Sequence, residues 1–496
     1  MKQLQHIRYK LIGLCAGLAI TMTAVMSPSM AAPEAERHVA DIFDIFEPSN
    51  EQAIGAKEHD RIVAQYGGEY KQERLNEYIL DIVLRIVFVT EKKNDPWRVT
   101  VLNSPIVNAF ALPGGYVYVT RGLLNLARNE AEIAGVLAHE VGHVIARHGV
   151  ERQSRATGLG IFGAIAGILT QNADVFKLGQ TLGGLYLADY SRDQEYEADD
   201  LGVKYLGLAG YPREAMADFL QRLEDHAAFE QKKAGKDGQS GQFDFFASHP
   251  QTEDRIIRAR GLADKADQKN RDYGREAYLK HIDGTRYGDD IREGVIRGRT
   301  FVHPDLRLTF DAPKGFQLIN SSRAVYAQDR NGNRMTFDMD PRGLQGQTIE
   351  GYVQNIWTAK FNVKNIRYMD VGGSPAAYVR FNLKQNNQVR ILTAVAIDRG
   401  DGNIARFLYT SKRRNSDLEN LYVESFQSFR PITYDEAAEI KQLVVDVQTV
   451  GWGDDLDDLV DKMPEGQYRR DLFLLLNPEF KDREPERGDR YKIISG

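Results

Sequence analysis

The chain has 496 residues, of which 42% are hydrophobic and 27% charged, and its formal net charge is −6. This length exceeds that of one compact domain, so two or three globular domains are expected. The composition disfavours disordered, collagen-like and polytopic membrane proteins. The acidic charge gives no indication of a nucleic-acid partner.

Residues 1–31 have the pattern of a secretory signal peptide. A basic head precedes an apolar run over residues 11–26, and small residues lead to a predicted cut after Ala31. Cleavage removes Cys15, the single cysteine, and this excludes disulfides, thiol catalysis and zinc-thiolate sites from the mature chain. An uncleaved membrane anchor is the alternative. We therefore expect an exported, periplasmic protein.

The remainder divides into an α+β multidomain pattern. Residues 32–262 predict a mainly helical domain with a small sheet, because helix-like spacing prevails and strand-like runs occur at residues 98–102 and 116–120. Residues 263–299 are highly charged and poor in apolar residues, which predicts a connector rather than part of a core. Residues 300–435 contain alternating runs and one helical insert, which predict an antiparallel α+β domain.

The last segment, residues 440–496, predicts a small module with a weak pattern of its own. It resembles a degenerate LysM module in the GDTL-like start at Gly453, the Leu476-Asn477 pair and the final Lys492-Ile493 strand. This resemblance implies peptidoglycan as a partner. However, Asp455 replaces the usual threonine and the segment is acidic, so a stabilising cap domain is an equal alternative.

The chemistry is concentrated on one predicted helix, which starts at Asn129 and ends at Gly149 and carries the HExxH pattern. Residues four apart on a helix differ by about 40° and about 6 Å, so His139 and His143 can bind one zinc ion from one face. Glu140 then lies beside the metal, where it can accept a proton from water. The alternative is two surface histidines on an ordinary helix.

A catalytic zinc ion needs a third protein ligand and an open fourth position. The extended motif with a third histidine requires glycine at 146 and histidine at 149, but Ala146 and Gly149 stand there. We therefore expect a distant glutamate. Glu195 and Asp199 are four apart on a second predicted helix, so Glu195 can bind the single Zn²⁺ while Asp199 orients a ligand histidine. A solvated acidic face is the alternative.

Several separate pieces of sequence resemble one family of HExxH-plus-glutamate (gluzincin) zinc metallopeptidases. The family includes the CAAX prenyl endopeptidases, heat-shock membrane proteases and periplasmic β-barrel assembly-enhancing proteases. The pieces, in chain order, are residues 108–115, His139-Glu140 with His143, residues 195–199, and His249-Pro250 with Arg255. The resemblance implies the following roles: zinc on His139, His143 and Glu195, Glu140 as general base, and Asp199 as supporting acid and proton donor. This chain lacks the transmembrane helices of the family's membrane members and resembles the soluble exported branch.

Two further sets of site residues follow from these pieces. His249 is predicted either to stabilise the oxyanion or to occupy the open zinc position as a gate, with Arg255 holding its loop; a surface histidine that caps a helix is the alternative. Asn108, Ala109 and Phe110 are predicted to present an edge strand to which a peptide substrate adds. A plain sheet edge is the alternative for this segment.

The sequence therefore predicts an exported zinc-dependent endopeptidase that cleaves unfolded or misassembled envelope proteins, with the outer-membrane assembly machinery as a partner. The alternative is a periplasmic chaperone or scaffold whose gated zinc site is mostly latent. The glycine-rich stretch at residues 158–169 is predicted to be a buried helix or flap rather than a membrane contact.

Overall fold

The computed structural model describes residues 48–155, 190–234, 249, 253–264, 272–321, 323–385 and 388–496. The predicted signal peptide and the glycine-rich stretch at 158–169 lie outside the described residues. Within the described ranges, no helix combines the length and the apolar character needed to span a membrane.

The first half of the chain is mainly helical and the second half is rich in strands. The helices are α1 (Pro48–Gln65), α2 (Glu73–Val87), α3 (Arg121–Leu126), α4 (Glu130–Ile145), α5 (His148–Arg155), α6 (Arg192–Leu208), α7 (Glu214–Ala234), α8 (Glu253–Asp264), α9 (Arg275–Ile282), α10 (Ile349–Tyr352), α11 (Ser416–Gln427), α12 (Tyr434–Ala438), α13 (Leu456–Asp461) and α14 (Arg469–Leu476). The strands are β1 (Arg98–Leu102), β2 (Ala109–Leu112), β3 (Tyr116–Thr120), β4 (Val295–Arg297), β5 (Thr300–His303), β6 (Leu308–Asp311), β7 (Gln317–Asn320), β8 (Val325–Gln328), β9 (Arg334–Asp340), β10 (Arg367–Val371), β11 (Ser374–Gln385), β12 (Gln388–Asp398), β13 (Ile404–Ser411), β14 (Arg430–Pro431), β15 (Val444–Thr449) and β16 (Arg490–Ser495).

The first half is built around α4, whose residues are nearly all buried. A small sheet of order β1-β3-β2 lies beside it, in which β1 pairs with β3 in parallel and β2 pairs with β3 antiparallel. The two strands predicted at residues 98–102 and 116–120 are observed with those bounds. Strand β2 lies at the edge of this sheet, next to α4.

Two glycines allow α4 and α6 to approach closely. A methyl group on Gly142 would lie 3.1 Å from the Ala198 carbonyl oxygen on α6. A methyl group on Gly202 would contact Met216 Cε, the end of a flexible side chain, and would lie 3.3 Å from the His139 backbone nitrogen. Since backbone contacts of 3.1–3.3 Å are tighter than ordinary side-chain contacts, glycine at both positions lets the acids of α6 approach the histidines of α4.

The second half contains a seven-stranded antiparallel sheet of order β10-β11-β12-β13-β9-β8-β7 and a four-stranded sheet of order β14-β6-β5-β4. Apolar clusters cover both faces of the larger sheet, one including Phe337 and Phe407 and the other Tyr352 and Trp357. A helical turn begins at Ile349, as the predicted helical insert requires. The mixed α+β architecture is therefore confirmed.

The prediction that residues 263–299 form only a connector is wrong for their middle part. Helix α9 lies within this segment, and its Tyr278, Leu279 and Ile282 are fully buried in the core of the first half. The error has a simple cause: three apolar residues on one helical face are enough to anchor a short helix, and the surrounding charged residues mask them in the average composition.

The C-terminal residues share the core of the first half. Strands β15 and β16 pair antiparallel around α13 and α14, and their Val445, Tyr491 and Ile493 belong to the same apolar cluster as α4. The fully buried Lys492 Nζ donates to the carbonyl oxygens of Asn125 and Ala127 at 2.8 Å each. Peptidoglycan binding by this segment stays a prediction.

Candidate metal centre

Helix α4 presents both motif histidines from its last two turns. Asn129 caps it, accepting a hydrogen bond from the Glu132 backbone at 2.9 Å. The predicted end at Gly149 is wrong, because α4 ends at Ile145 and a residue of positive φ, Arg147, separates it from α5. The helix therefore ends about one turn before the position that Gly149 indicates.

Four buried side chains converge at this end of α4. Ligand atoms of His139, His143, Glu195 and His249 all lie within 4.8 Å of one another. His139 Nε2 is 3.0 Å from His143 Nε2 and 3.6 Å from Glu195 Oε2, and His143 Nε2 is 3.5 Å from Glu195 Oε1. None of the four residues is more than 2% exposed. Three of them are the predicted ligands, and the fourth is the predicted gate.

The spacing of these atoms suits a tetrahedral zinc ion. Bonds of about 2.0–2.1 Å place the ligand atoms of such a site about 3.3 Å apart. The observed separations scatter around this value, and the nitrogen and carboxylate donors are those that zinc accepts. His249 Nδ1, at 3.2 Å from His139 Nε2 and 3.0 Å from Glu195 Oε1, lies at the fourth corner. The residues present therefore fit zinc, with His249 where an open catalytic position is expected.

Asp199 and Arg255 hold the ligands from outside. His139 Nδ1 lies 2.9 Å from Asp199 Oδ1, and its Nε2 is directed at the cluster. The Arg255 guanidinium contacts Asp199 through Nε at 2.7 Å and Nη2 at 2.8 Å, and Glu195 Oε2 through Nη1 at 2.6 Å. Asp199 thus stands where sequence reasoning placed it, and Arg255 bridges the two acids.

Glu140 lies beside the cluster and is fully buried. Its Oε1 is 3.4 Å from His249 Nε2. The glutamate therefore lies beside the ring of His249, whose Nδ1 lies where a water or a scissile carbonyl is expected in a catalytic zinc site.

Burial and neighbouring charges favour the protonation states that bind metal. Burial lowers the pKa of His143 well below its usual value and lowers the pKa of His249 to about 4. Burial raises the pKa of Glu195, but His249, His143 and Arg255 outweigh it and hold that pKa well below the usual range. Neutral imidazoles and an ionised carboxylate are the forms that coordinate metals, so metal binding at neutral pH requires little proton release.

The predicted substrate segment lies at the edge of the small sheet. Asn108 exchanges hydrogen bonds with Thr120, its nitrogen donating to Oγ1 at 3.1 Å and its carbonyl accepting from the backbone at 3.0 Å. Ala109 and Phe110 are buried in β2. The structure thus places the segment on an edge strand, and its contact with a substrate stays a prediction.

Sequence reasoning missed two residues that contact the site. The ring of Tyr190 stacks on His143 with centroids 3.9 Å apart. His148 Nδ1 is 2.9 Å from His143 Nδ1, and His148 Nε2 is 3.2 Å from Glu197 Oε2. The sequence signal for His148 is its place close after the two motif histidines, one residue before the position at which the extended motif has its third histidine.

A buried HExxH helix, a glutamate on a second helix and a helix-bound acid behind one histidine define the class of HExxH metallopeptidase domains. Residues 71–263 match the sequence model of one such family, Peptidase family M48. This likeness to the family covers residues 71–263 and not the whole chain.

The chain is similar to named members of this class over part of its length. It is 30% identical over 200 residues to the Beta-barrel assembly-enhancing protease of Escherichia coli (strain K12), covering 38% of this chain and 39% of that protein. It is 37% identical over 156 residues to the Mitochondrial metalloendopeptidase OMA1 of Arabidopsis thaliana, covering 31% and 29%. The match thus spans well under half of these relatives. Among solved structures, cyanobacterial PsbP from Synechocystis matches 28% of this chain and 98% of its own length at 13% identity, with a TM-score of 0.23, which is too low to indicate a shared fold.

Proposed function

We propose that this protein is an exported zinc-dependent endopeptidase that cleaves unfolded or misassembled envelope proteins. The observation that carries the proposal is the buried cluster of His139, His143 and Glu195 with Glu140 directly beside it. The similarity to a β-barrel assembly-enhancing protease supports envelope proteins as substrates and the outer-membrane assembly machinery as a partner.

The residues divide the work of peptide hydrolysis among them. His139, His143 and Glu195 would hold a zinc ion, which as a Lewis acid would polarise the scissile carbonyl and make water more acidic. Glu140 accepts a proton from the attacking water and passes it to the leaving amine. Asp199 keeps the His139 ring in the ligating orientation by accepting a hydrogen bond from the proton that stays on Nδ1.

The edge of the small sheet next to α4 is proposed to bind the substrate as an extended chain. A peptide that adds to β2 makes main-chain hydrogen bonds, and these tolerate many sequences. Asn108, Ala109 and Phe110 are the residues proposed to bind it. Because only an extended chain can add as a strand, this mode favours unfolded or misassembled segments over folded proteins.

The full-length chain tests the proposal as a whole. When it is expressed with its leader and recovered from the periplasm, we expect a chain that starts at Ala32, contains one zinc ion and cleaves denatured casein. Chelation should abolish cleavage and added Zn²⁺ should restore it, because the ligand set consists of metal-binding groups. Cleavage that survives chelation would contradict a zinc mechanism, and a membrane-bound chain that retains residues 1–31 would contradict the proposed location.

His249 is proposed to act as a gate on the fourth position. Its Nδ1 lies within 3.2 Å of both His139 Nε2 and Glu195 Oε1, so it competes with water and substrate for that corner. We expect His249→Ala to raise the rate of casein cleavage, by about tenfold if the closed state dominates. Initial rates at saturating zinc measure this effect.

The double variant His249→Ala with Glu140→Gln is the matched control, since it opens the same corner and removes the proposed base. Cleavage in the single variant but not in the double variant would assign the gain to this site. A rate for His249→Ala equal to that of the unmodified chain would disprove the gate, and a decrease would favour the alternative role at the oxyanion.

The same closed geometry favours a second candidate function, a chaperone or scaffold with a mostly latent site. If His249 occupies the fourth corner most of the time, most unfolded partners that bind are released without being cleaved. The two functions differ in their dependence on Glu140, because binding does not need a proton acceptor at that position.

A further inference from the structure

The outer nitrogen of His143 faces a second histidine rather than a carboxylate. His143 Nδ1 is 2.9 Å from His148 Nδ1, and His148 Nε2 is 3.2 Å from Glu197 Oε2. His148 is 2% exposed, whereas Glu197 lies at the rim with its side chain 60% exposed. A chain of polar contacts therefore runs from the metal-facing ring to the surface.

The backbone is shaped to bring His148 to this place. Arg147, between α4 and α5, has a φ of 59°, which is unusual for a residue with a side chain. Its guanidinium contacts Glu51 Oε1 at 2.8 Å through Nε and at 2.7 Å through Nη2. Such conformations persist only where surrounding contacts hold them. The turn at Arg147 places His148 against the ring of His143, which lies five residues earlier in the chain.

The protons along this chain follow from the donor and acceptor chemistry of imidazole. A ring that offers the Nε2 lone pair to a metal carries its proton on Nδ1, so His143 donates to His148 Nδ1. His148 must then accept at Nδ1 and carry its own proton on Nε2, which donates to the Glu197 carboxylate. One consistent set of tautomers satisfies both contacts.

We propose that His148 and Glu197 are positioning residues that set the tautomer and ring orientation of His143 as a zinc ligand. The inference rests on the proposed zinc site. Helix α6 then supplies three carboxylates in turn: Glu195 to the metal, Asp199 to the outer nitrogen of His139, and Glu197, through His148, to the outer nitrogen of His143. Outer partners of this kind make a metal ligand more basic and hold its ring in place.

Zinc affinity of the full chain, measured by competition with a chromophoric chelator, tests the proposal without relying on cleavage. His148→Phe keeps a buried ring but removes the acceptor, and we expect the zinc Kd to rise by about 10- to 100-fold. His148→Asn places an amide oxygen near the former Nδ1 and still accepts from His143. We expect it to restore most of the affinity, leaving a rise of about two- to tenfold.

Glu197→Ala should match His148→Asn, because each loses only the outer contact of the chain. Asp193→Ala is the matched control, since Asp193 is an exposed acid four residues earlier on α6, and it should leave the zinc Kd unchanged. Thermal unfolding of the metal-free variants, followed by circular dichroism, shows which of them fold. The asparagine variant keeps the test decisive if the phenylalanine variant does not fold.

Two results would overturn the positioning role. One is a zinc Kd for folded His148→Phe equal to that of the unmodified chain. The other is a zinc Kd for His148→Asn that is raised as far as that of His148→Phe, because retaining an acceptor for His143 would then make no difference. If His148→Phe does not fold, a zinc Kd for His148→Asn raised by 10-fold or more has the same meaning. Failure of the proposed function is distinguishable: an unmodified chain that binds zinc but cleaves no casein contradicts the peptidase proposal alone, whereas an unmodified chain that binds no zinc overturns both proposals.

Discussion

Glu140→Gln is expected to abolish cleavage of denatured casein while the chain still binds zinc. Glutamine has nearly the same shape as glutamate, but its amide cannot accept a proton from water. A positioned general base contributes about 10²- to 10⁴-fold to rate, so the residual rate should lie at least about 100-fold below that of the unmodified chain. Zinc content and initial cleavage rates of the same preparation measure the two effects.

Glu132→Gln provides the matched control for this variant. Glu132 is an equally buried carboxylate eight residues earlier on α4, and its oxygens accept from Arg128 rather than face the metal cluster. We expect this change to leave cleavage in place. Cleavage that persisted in Glu140→Gln would refute the mechanism. If Glu140→Gln without protease activity still prevented aggregation of an unfolded envelope protein, the chaperone function would be independent of catalysis.

Arg255→Leu is expected to destabilise the metal-free protein by about 3–5 kcal/mol. The Arg255 side chain is 1% exposed and pairs with Glu195 and Asp199, which are equally buried. Removing the cation leaves two carboxylates in a buried site without their main compensating charge. The resulting loss in the free energy of unfolding is far larger than for a surface ion pair. The midpoint of urea unfolding in the presence of a chelator measures the change.

Arg258→Leu is the control that separates burial from charge. Arg258 lies three residues later on α8 and pairs with Asp200 on α6, but both side chains are well exposed, at 44% and 37%. A surface pair of this kind contributes about 0–1 kcal/mol. Equal urea midpoints for the two variants would show that Arg255 does not stabilise the acids. Zinc should reduce the effect of Arg255→Leu, because the ion supplies the missing positive charge beside Glu195.

Local sequence was enough to identify the helix that carries His139, Glu140 and His143. Ligands four apart on one helix need no tertiary contact to share a face, so the spacing alone predicts their arrangement. Asp199 was found in the same way, by its distance of four residues from Glu195. The strands at residues 98–102 and 116–120 followed from short runs of strand-forming residues between helical segments.

Contacts between distant segments lay beyond such reasoning. The acids of α6 reach α4 because Gly142 and Gly202 let the two helices approach, and glycine inside a helix does not by itself indicate what packs against it. The role of His148 depends on the turn at Arg147 and on Glu197 from another helix, and neither contact can be inferred from its spacing to His143. The burial of α9 was missed for the same reason, since its partners lie far away in the chain.

The sequence by itself predicted the chemistry of the candidate site: histidines and carboxylates at helical spacing, a donor set that suits a metal ion. Only the tertiary structure decided how that set is used. It placed His249 at the fourth corner, bridged the acids with Arg255 and put His148 behind His143. The physical reason is that a ligand's identity is local, whereas its orientation, protonation and access depend on buried neighbours that folding brings together.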